Sequence, residues 1–466
     1  MKYISTRGRA PTLGFCDTVM TGLASDGGLY LPERWPEVSP DEIAGFANRP
    51  FAEVATDLIA RFTGGEIADA DLGAIAEAAY GTFRHPSTTP LVELSPGLFV
   101  LELFHGPTLA FKDVAMQFLA RVMDHILTAR GKRATIVGAT SGDTGSAAIE
   151  AFRGRDNIDI FIMHPRDRTS EVQRRQMTTV LADNVHNIAI EGTFDDCQAL
   201  LKGLFNNKDF RERASLGAVN SINWGRIVAQ TVYYFTAAAA LGSPWRKVDF
   251  TVPTGNFGDI FAGEVARRMG LPIGKLVIAT NENDILKRTL DTGRYEVDGV
   301  RPTMSPSMDI QVSSNFERLV FESCGRDGAE TARLIASLGQ SGSFALPEKA
   351  LAQIRAGFAA GTTNEAETAA AMKAALDLSL YLADPHTAVG LGVATRFRDA
   401  ARPMIALSTA HPAKFPAAVA SATGVEPALP VWLAGLMDRE ERLTLLPNDL
   451  KTLEDFVSGK SRAWEE

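Results

Sequence analysis

The chain is poor in the residues that build disulfide frameworks and zinc sites. Its 466 residues include three cysteines and seven histidines. Cys16, Cys197 and Cys324 are far apart and odd in number, which argues against a disulfide framework and fits a reducing compartment. No Cys-x-x-Cys, no His-Glu-x-x-His and no i,i+4 histidine pair occurs, so we expect no metal site built by the protein.

Long apolar runs and basic clusters are also missing. No segment approaches the ~18 apolar residues of a membrane-spanning helix, and the first residues lack the apolar stretch of a signal peptide. Lys and Arg number 47 against 56 Asp and Glu, which gives a net charge of −9, and no basic patch marks a nucleic-acid contact. We therefore expect a cytoplasmic protein with a small-molecule substrate and no membrane or nucleic-acid partner.

The sequence does contain a regular change from short apolar strands to helices. Ala134–Gly138, Ile158–Met163 and Val185–Glu191 are apolar runs, each followed by a predicted helix. Short strands without polar alternation are typical of parallel sheets that are covered on both faces. The pattern therefore predicts an α/β fold.

Length and composition predict more than one domain. The chain is long, 45% hydrophobic and 22% charged, which is ordinary for a soluble protein of two or three domains. We predict a small N-terminal domain over 1–95, an α/β domain over 96–245 and a second α/β domain over 246–466. The tail segment Leu429–Leu450 is mixed and charged, and we expect it to be helical or irregular.

One lysine is unusual for its position. Lys112 follows a turn at Gly106-Pro107 and stands at the mouth of a predicted helix, Val114–Leu127. Cations are favoured in the last turn of a helix rather than the first, and the three residues before Lys112 are apolar. Desolvation favours the neutral, nucleophilic amine that Schiff-base chemistry requires. A solvated lysine with an apolar stem is the common alternative.

Two glycine-rich loops each follow a predicted strand and begin a helix. They are Gly138-Ala-Thr-Ser-Gly-Asp-Thr-Gly-Ser146 and Pro253-Thr-Gly-Asn-Phe-Gly-Asp259. Unpaired N–H groups at a helix start bind anions, so the second loop suits a phosphate, and the hydroxyls of the first suit a carboxylate. Neither loop is a P-loop or a dinucleotide-binding fingerprint, and a tight strand-to-helix turn would explain either one alone. Together with Lys112 they suggest pyridoxal 5′-phosphate, a cofactor with one phosphate and a carbonyl.

Four motifs in order along the chain carry a resemblance to a known family. They are His105-Gly-Pro-Thr-Leu-Ala-Phe-Lys-Asp113, Gly138-Ala-Thr-Ser-Gly-Asp-Thr-Gly145, Asn220-Ser-Ile-Asn-Trp-Gly-Arg226 and Thr254-Gly-Asn-Phe-Gly-Asp259. The set resembles threonine synthases of the long bacterial and fungal branch. The resemblance implies a fold-type II pyridoxal-phosphate enzyme with its site between two α/β domains. It also implies conversion of O-phospho-L-homoserine and water to L-threonine and phosphate, the last step of threonine biosynthesis, by a monomer or homodimer.

The resemblance also assigns residues to the cofactor. Lys112 would form the Schiff base, and Thr409 would face the pyridine nitrogen, where a neutral hydroxyl leaves that nitrogen largely unprotonated. Asp143 stands where shorter relatives have an asparagine near the 3′-oxygen; a carboxylate there needs a shared proton or another contact, because it repels a phenolate. The cofactor phosphate would be bound by the backbone of Gly255, Asn256, Phe257 and Gly258, and Asp259 would close that loop.

A second set of residues is assigned to the substrate. The candidates for its carboxylate are Thr140, Ser141 and Thr144. Its phosphate needs cations, preferably an arginine, and the candidates are Arg226, His105 and Lys414. Each cation also has a structural explanation: Arg226 could pair with a neighbouring carboxylate, and His105 could brace its turn. Asn223 and Asn315 could orient a substrate or a loop, or could cap a helix.

Two other functions remain open on these residues. A phospho-lyase on the same scaffold would share the early chemistry but release 2-oxobutanoate and ammonia besides phosphate. A non-catalytic protein that senses a phosphorylated metabolite would keep the loops but would not need a Schiff-base lysine, so Lys112 argues against it. We expect the synthase.

Overall fold

The chain forms two compact units, and neither is one continuous stretch. The computed structural model describes residues 1–140, 142–166 and 169–464. Unit 1 consists of Met1–His105 and Ser221–Pro427, and unit 2 consists of Gly106–Asn220 and Ala428–Glu466. These cuts fall at other places than the predicted boundaries at 95 and 245, because strands distant in sequence join the same sheets. No helix in the described ranges is long and apolar enough to span a membrane.

The strands are short, with two to eight residues each. In chain order they are β1 (Tyr3–Ser5), β2 (Tyr30–Pro32), β3 (Leu91–Ser95), β4 (Leu98–Glu102), β5 (Ala134–Ala139), β6 (Ile158–Pro165), β7 (Val185–Glu191), β8 (Leu216–Gly217), β9 (Val248–Pro253), β10 (Ile273–Thr280), β11 (Arg294–Glu296), β12 (Ser343–Ala345), β13 (Phe358–Thr362), β14 (Met404–Ser408) and β15 (Thr444–Pro447).

The helices connect and cover these strands. In chain order they are α1 (Phe15–Thr21), α2 (Pro40–Gly45), α3 (Phe51–Thr63), α4 (Asp69–Tyr80), α5 (Lys112–Arg130), α6 (Asp143–Phe152), α7 (Glu171–Thr178), α8 (Phe194–Asn206), α9 (Lys208–Arg213), α10 (Trp224–Ala240), α11 (Gly258–Arg268), α12 (Ile285–Thr292), α13 (Phe316–Ser323), α14 (Gly328–Ser341), α15 (Glu348–Gly357), α16 (Glu365–Ser379), α17 (Pro385–Phe397), α18 (Pro416–Thr423) and α19 (Leu450–Ser458). Single 3₁₀ turns lie at Pro306–Met308, Pro412–Lys414, Val431–Leu433 and Leu436–Asp438.

A six-stranded sheet forms the centre of unit 1. Its strand order is β13-β10-β9-β14-β4-β3, and only the β3–β4 hairpin is antiparallel. Every residue of β9 and β14 is buried, as expected for parallel strands with both faces covered. These two strands are direct neighbours, so the loops that leave their carboxyl ends start side by side, where ligands bind in open α/β sheets.

A five-stranded parallel sheet forms the centre of unit 2. Its order is β15-β7-β6-β5-β8. Strands β5, β6 and β7 confirm the three predicted apolar strands, and the α/β class with parallel sheets is confirmed. The glycine-rich loop Gly138–Ser146 leaves the carboxyl end of β5 and leads into α6, which packs against α5.

The expectation of a helical or irregular tail was wrong at one point. Thr444–Pro447 forms β15, which pairs in parallel with β7. Leu446 packs against the hydrophobic core of unit 2, beside Ile188 and Ile190. A four-residue strand whose residues alternate between partly buried and exposed has too little local signal, and its conformation depends on the partner strand.

Candidate active site

In unit 2, a rigid turn presents Lys112 as the first residue of α5. The carboxylate of Asp113 accepts hydrogen bonds from the N–H of Thr108 at 2.7 Å and from its hydroxyl at 2.6 Å. A Cβ on Gly106 would lie 2.5 Å from the Cβ of Asp113, so the turn requires glycine there. Leu109 is buried in the left-handed conformation, with φ 63°. The turn is therefore held by its own residues and by Gln176, whose Nε2 donates to the carbonyl of Thr108 at 3.1 Å.

The side chain of Lys112 lies in a buried, charged contact. The residue is 7% exposed, and its Nζ lies 3.4 Å from Oδ2 of Asp143 and 5.5 Å from the ring centre of Phe111. A buried ammonium group is tolerated when a carboxylate balances it. The arrangement keeps an amine in a largely water-free place next to a group that can hold its proton.

Asp143 is itself held from its other side. Its Oδ1 accepts a hydrogen bond of 2.8 Å from Nε2 of Gln173, and Ser170 donates its hydroxyl to Oε1 of Gln173 at 3.0 Å. Gly142 has φ 149°, and a Cβ there would lie 2.4 Å from Cδ of Gln173. The sequence left open which partner Asp143 meets; here its carboxylate faces the amine of Lys112 and an amide.

The hydroxyls predicted for the substrate carboxylate have different surroundings. Oγ1 of Thr140 accepts hydrogen bonds from the N–H of Gly142 at 3.0 Å and of Gly145 at 2.9 Å. Thr140 thus shapes the loop with its oxygen and keeps its hydroxyl proton for donation. Thr144 is partly buried in the first turn of α6, whose N-terminus has no side-chain cap. Ser141 lies outside the described residues.

In unit 1, the loop between β9 and α11 has its carbonyls tied back by neighbouring segments. The carbonyl of Asn256 accepts hydrogen bonds from the backbone N–H of Asn315 at 3.0 Å and from its Nδ2 at 2.9 Å. The carbonyl of Gly255 accepts the hydroxyl of Ser313 at 2.6 Å. A Cβ on Gly255 would lie 2.8 Å from the carbonyl oxygen of Ser307.

The same loop leaves its N–H groups for an anion. Phe257 has φ 63° and precedes α11, and no side chain caps the helix. The first N–H groups of a helix have no intrahelical acceptor and carry the positive end of its dipole. With glycine at 255 and 258, a phosphate can approach the backbone closely. These residues fit the phosphate of pyridoxal phosphate.

Asp259 lies directly after this loop, in the first turn of α11, and is bound by two tyrosines of α10. The hydroxyls of Tyr233 and Tyr234 both donate to its Oδ1, Tyr234 at 3.0 Å. Burial raises the pKa of Asp259 to about 6, against the opposing effect of the two phenols. Its Oδ2 is buried without a hydrogen-bond partner. Asp259 is therefore a carboxylate whose charge is poorly stabilised.

A polar cluster lies behind Thr409 at the end of β14. The N–H of Thr409 donates to Oγ1 of Thr387 at 3.2 Å, and Thr387 in turn donates to the carboxylate of Asp384. Nδ1 of His386 lies 2.8 Å from the same carboxylate. We did not predict these three residues from the sequence. The signal was Asp384 followed by a proline, which is typical of an N-cap and the first helical position.

The three candidate cations for a substrate phosphate all belong to unit 1. Arg226 is buried in the first turn of α10, and burial lowers its pKa to about 10. Lys414 is fully buried in a 3₁₀ turn. His105 has its Nε2 2.7 Å from Oε2 of Glu102, so a carboxylate already partners its ring.

Asn223 has the capping position that the sequence left as its alternative. Its Oδ1 accepts the N–H of Gly225 at 2.9 Å at the start of α10, and its Nδ2 donates to the carbonyl of Val19 at 2.8 Å. Both ends of the amide are thus bound to backbone. Within the described ranges, no group of histidine, cysteine and carboxylate side chains could hold a metal ion.

Family models match the chain in three consecutive segments. Residues 2–80 match "Threonine synthase N terminus", 82–403 match "Pyridoxal-phosphate dependent enzyme", and 387–457 match "Threonine synthase, C-terminal". Among relatives, the threonine synthase of Pseudomonas aeruginosa is 54% identical over 460 residues, 98% of each chain. That of Saccharomyces cerevisiae is 41% identical over 97% of this chain and 93% of its own. Human threonine synthase-like 2 is 35% identical over 100% and 98%.

Solved structures agree with these matches. The structure of threonine synthase from Brucella melitensis with bound pyridoxal phosphate has a TM-score of 0.98 and 59% identity, covering 99% of this chain and 100% of its own. The yeast threonine synthase structure has a TM-score of 0.94 and 39% identity, covering 98% of both chains.

Proposed function

Because this chain belongs to the threonine synthase family and is a fold-type II pyridoxal-phosphate enzyme, we propose that it converts O-phospho-L-homoserine and water to L-threonine and phosphate. The observation that carries the proposal is the match to threonine synthases over nearly the whole chain. The chain also has a buried lysine, Lys112, at the start of α5. A cytoplasmic location and a monomeric or homodimeric state stay predictions.

Three groups of residues would hold the cofactor. Lys112 would bind its aldehyde, the N–H groups of 255–258 would bind its phosphate, and the hydroxyl of Thr409 would face its ring nitrogen. When bound, pyridoxal phosphate withdraws electrons from the substrate carbons next to the amine, so that protons leave Cα and Cβ and phosphate leaves Cγ.

Lys112 is the proton carrier. As a free amine, Lys112 would take the proton from Cα of the substrate and return one there at the end. The long, flexible stem lets the same amine reach neighbouring carbons. Asp143 supports this role, since its carboxylate 3.4 Å from Nζ orients the amine.

The substrate is bound through its two anionic ends. The carboxylate would accept the hydroxyl proton of Thr140 and N–H groups at the start of α6, where Thr144 lies in the first turn. Ser141 stays a candidate from the sequence. Arg226 is the first candidate for the phosphate. Water screens the charge of a buried guanidinium only weakly, and its planar group can bind a phosphate with two hydrogen bonds. Lys414 and His105 are further candidates, and Glu102 limits the charge that His105 can offer. Asn223 caps the helix on which Arg226 lies, and it stays a candidate for the substrate from the sequence.

The test is a product assay. Purified protein with pyridoxal phosphate and O-phospho-L-homoserine is assayed for threonine, 2-oxobutanoate and phosphate together. Equal amounts of threonine and phosphate support the proposal; phosphate with 2-oxobutanoate would identify a phospho-lyase instead, and no phosphate would refute the substrate.

Lys112→Ala supplies the matching loss of function. It should abolish phosphate release, whereas Lys132→Ala, at an exposed lysine of the α5–β5 turn, should leave it unchanged. Phosphate release that survives in Lys112→Ala would exclude the proposed role of this amine.

A further inference from the structure

A fully buried arginine contacts the loop at 255–258 indirectly, through the side chain of Asn315. Arg318, on α13, is 0% exposed. Its Nε and Nη2 donate to the carbonyl of Tyr30 at 3.0 and 2.9 Å, and Nη2 also donates to the carbonyl of Ile222 at 2.7 Å. Its Nη1 donates to Oδ1 of Asn315. All these acceptors are neutral.

In the described part of the chain, Arg318 forms no ion pair, although the nearby charge of Glu317 partly opposes the effect of burial on its pKa. The adjacent carboxylate, Glu317, lies 3.0 Å from Nη2 of Arg7 and accepts the hydroxyl of Thr6 at 2.6 Å. Burial lowers the pKa of Arg318 to about 9. At neutral pH the group therefore remains charged. A buried charge is costly unless an opposite charge or several hydrogen bonds compensate for it.

Asn315 joins this arginine to the loop. Its Oδ1 accepts from Arg318, while its Nδ2 donates to the carbonyl of Asn256 at 2.9 Å and to that of Ser221 at 3.1 Å. A cation at the oxygen of an amide polarises its N–H groups and strengthens the bonds that they donate. The backbone carbonyl of Asn256 is thereby held by two donors of Asn315, its N–H and its Nδ2.

We propose that Arg318 is a positioning residue for the cofactor phosphate: it fixes the loop through Asn315, and its buried guanidinium adds positive potential on the side of the loop where the phosphate dianion would bind. This inference rests on the proposed binding of that phosphate by residues 255–258. Arg318 touches neither cofactor nor substrate in this role. It acts on the shape and the electrostatic potential of the loop.

A purely structural arginine would behave differently. If Arg318 only joins Tyr30 and Ile222 to α13, its removal weakens the fold and lowers the affinity for any ligand equally. If it serves the phosphate, its removal lowers the affinity for pyridoxal phosphate and spares pyridoxal, which has the aldehyde and ring but no phosphate. The ratio of the two affinities therefore separates the two roles.

The experiment titrates full-length apoprotein with pyridoxal phosphate and with pyridoxal. Arg318→Met removes the charge, and we expect its Kd for pyridoxal phosphate to rise on the order of tenfold or more, with that for pyridoxal changed less than about twofold. Arg355→Met is the control for loss of an arginine away from the loop: Arg355 is exposed, but it also donates to two backbone carbonyls, those of Leu290 and Asp291 at 2.7 Å. It should change neither Kd. Equal losses for both ligands in Arg318→Met would overturn the proposal.

A second variant covers the case in which Arg318→Met does not fold. Asn315→Asp keeps the size of the side chain and the contact with Arg318, but it pairs the arginine with a carboxylate and removes the Nδ2 donor to the carbonyls of Asn256 and Ser221. We expect folded apoprotein by circular dichroism and a selective loss of pyridoxal phosphate affinity of similar size. An unchanged affinity for pyridoxal phosphate would overturn the proposal.

Gly255→Ala separates this inference from the proposed function. Its Cβ would meet the carbonyl of Ser307 at 2.8 Å, so the loop must move. If Gly255→Ala leaves the affinity for pyridoxal phosphate unchanged, the assignment of the phosphate to this loop is wrong, and the role of Arg318 is refuted with it. If Gly255→Ala weakens binding while Arg318→Met and Asn315→Asp do not, only the inference about Arg318 is overturned.

Discussion

The buried carboxyl of Asp259 makes the stability of the apoprotein depend on pH in a way that one substitution removes. Burial raises its pKa from 3.8 to about 6. Because the folded pKa is the higher one, the stability that this group contributes is fully present below pH ~4 and is lost as pH rises through about 6. At about 1.4 kcal/mol per pH unit, the loss approaches ~3 kcal/mol at pH 8.

Asp259→Asn removes the charge and keeps an oxygen that can accept from Tyr233 and Tyr234. The new NH₂ group would replace Oδ2, which has no partner, and this costs the same at every pH. The informative quantity is therefore the change with pH. Linkage predicts that the stability of the variant relative to the wild type rises by about 1.4 kcal/mol between pH 5 and pH 8.

Urea unfolding of the apoproteins at pH 5, 6, 7 and 8 measures this difference. Asp71→Asn, at an exposed residue in the first turn of α4, is the control and should give the same stability difference at each pH. Parallel stability curves for the wild type and Asp259→Asn would refute the reasoning, because they would mean that Asp259 has the same pKa folded and unfolded.

Two further substitutions test other parts of the candidate site. Gly142→Ala places a Cβ 2.4 Å from Gln173 at φ 149°, and thermal unfolding should show a loss of stability of about 1–3 kcal/mol. The control is Gly339→Ala, in an open position of a helix, which should be neutral or stabilising by ~0.5–1 kcal/mol in the same assay. Asn223→Ala removes the cap of α10 and should cost about 1–2 kcal/mol of stability with little change in KM, whereas Arg226→Gln should raise KM for the phosphorylated substrate. A large KM effect from Asn223→Ala at unchanged stability would show direct substrate contact.

Local sequence was sufficient for the parts of the site that one segment builds alone. In the turn before Lys112, the contacts of Asp113 with Thr108 and Gly106 lie within eight residues of the chain. The loop after β9 likewise has its glycines, its left-handed Phe257 and its helix start in consecutive positions. Such features depend on backbone conformations that few residue types allow, so the motif itself indicates the geometry.

Contacts between distant segments could not be predicted from the sequence. Arg318 looks like an ordinary helical arginine, and its burial depends on carbonyls of Tyr30 and Ile222, which lie 288 and 96 residues away. The partners of Thr409 arrive on α17, a separate helix. The extended conformation of β15 depends on its pairing with β7. No periodicity or propensity encodes such pairings, since they follow from the whole fold.

The strand order of unit 1 has a consequence for synthesis of the protein. Strand β14 lies between β9 and β4, yet it follows β4 by about three hundred residues. At ~5–20 residues per second, the ribosome needs roughly 15–60 s to supply it. Throughout that time the hairpin β3–β4 presents the edge of β4 without its final neighbour, and an open edge invites wrong pairing. The nascent chain is thus exposed to aggregation for longest at its N-terminal hairpin, and binding of a chaperone there would protect it until β14 emerges.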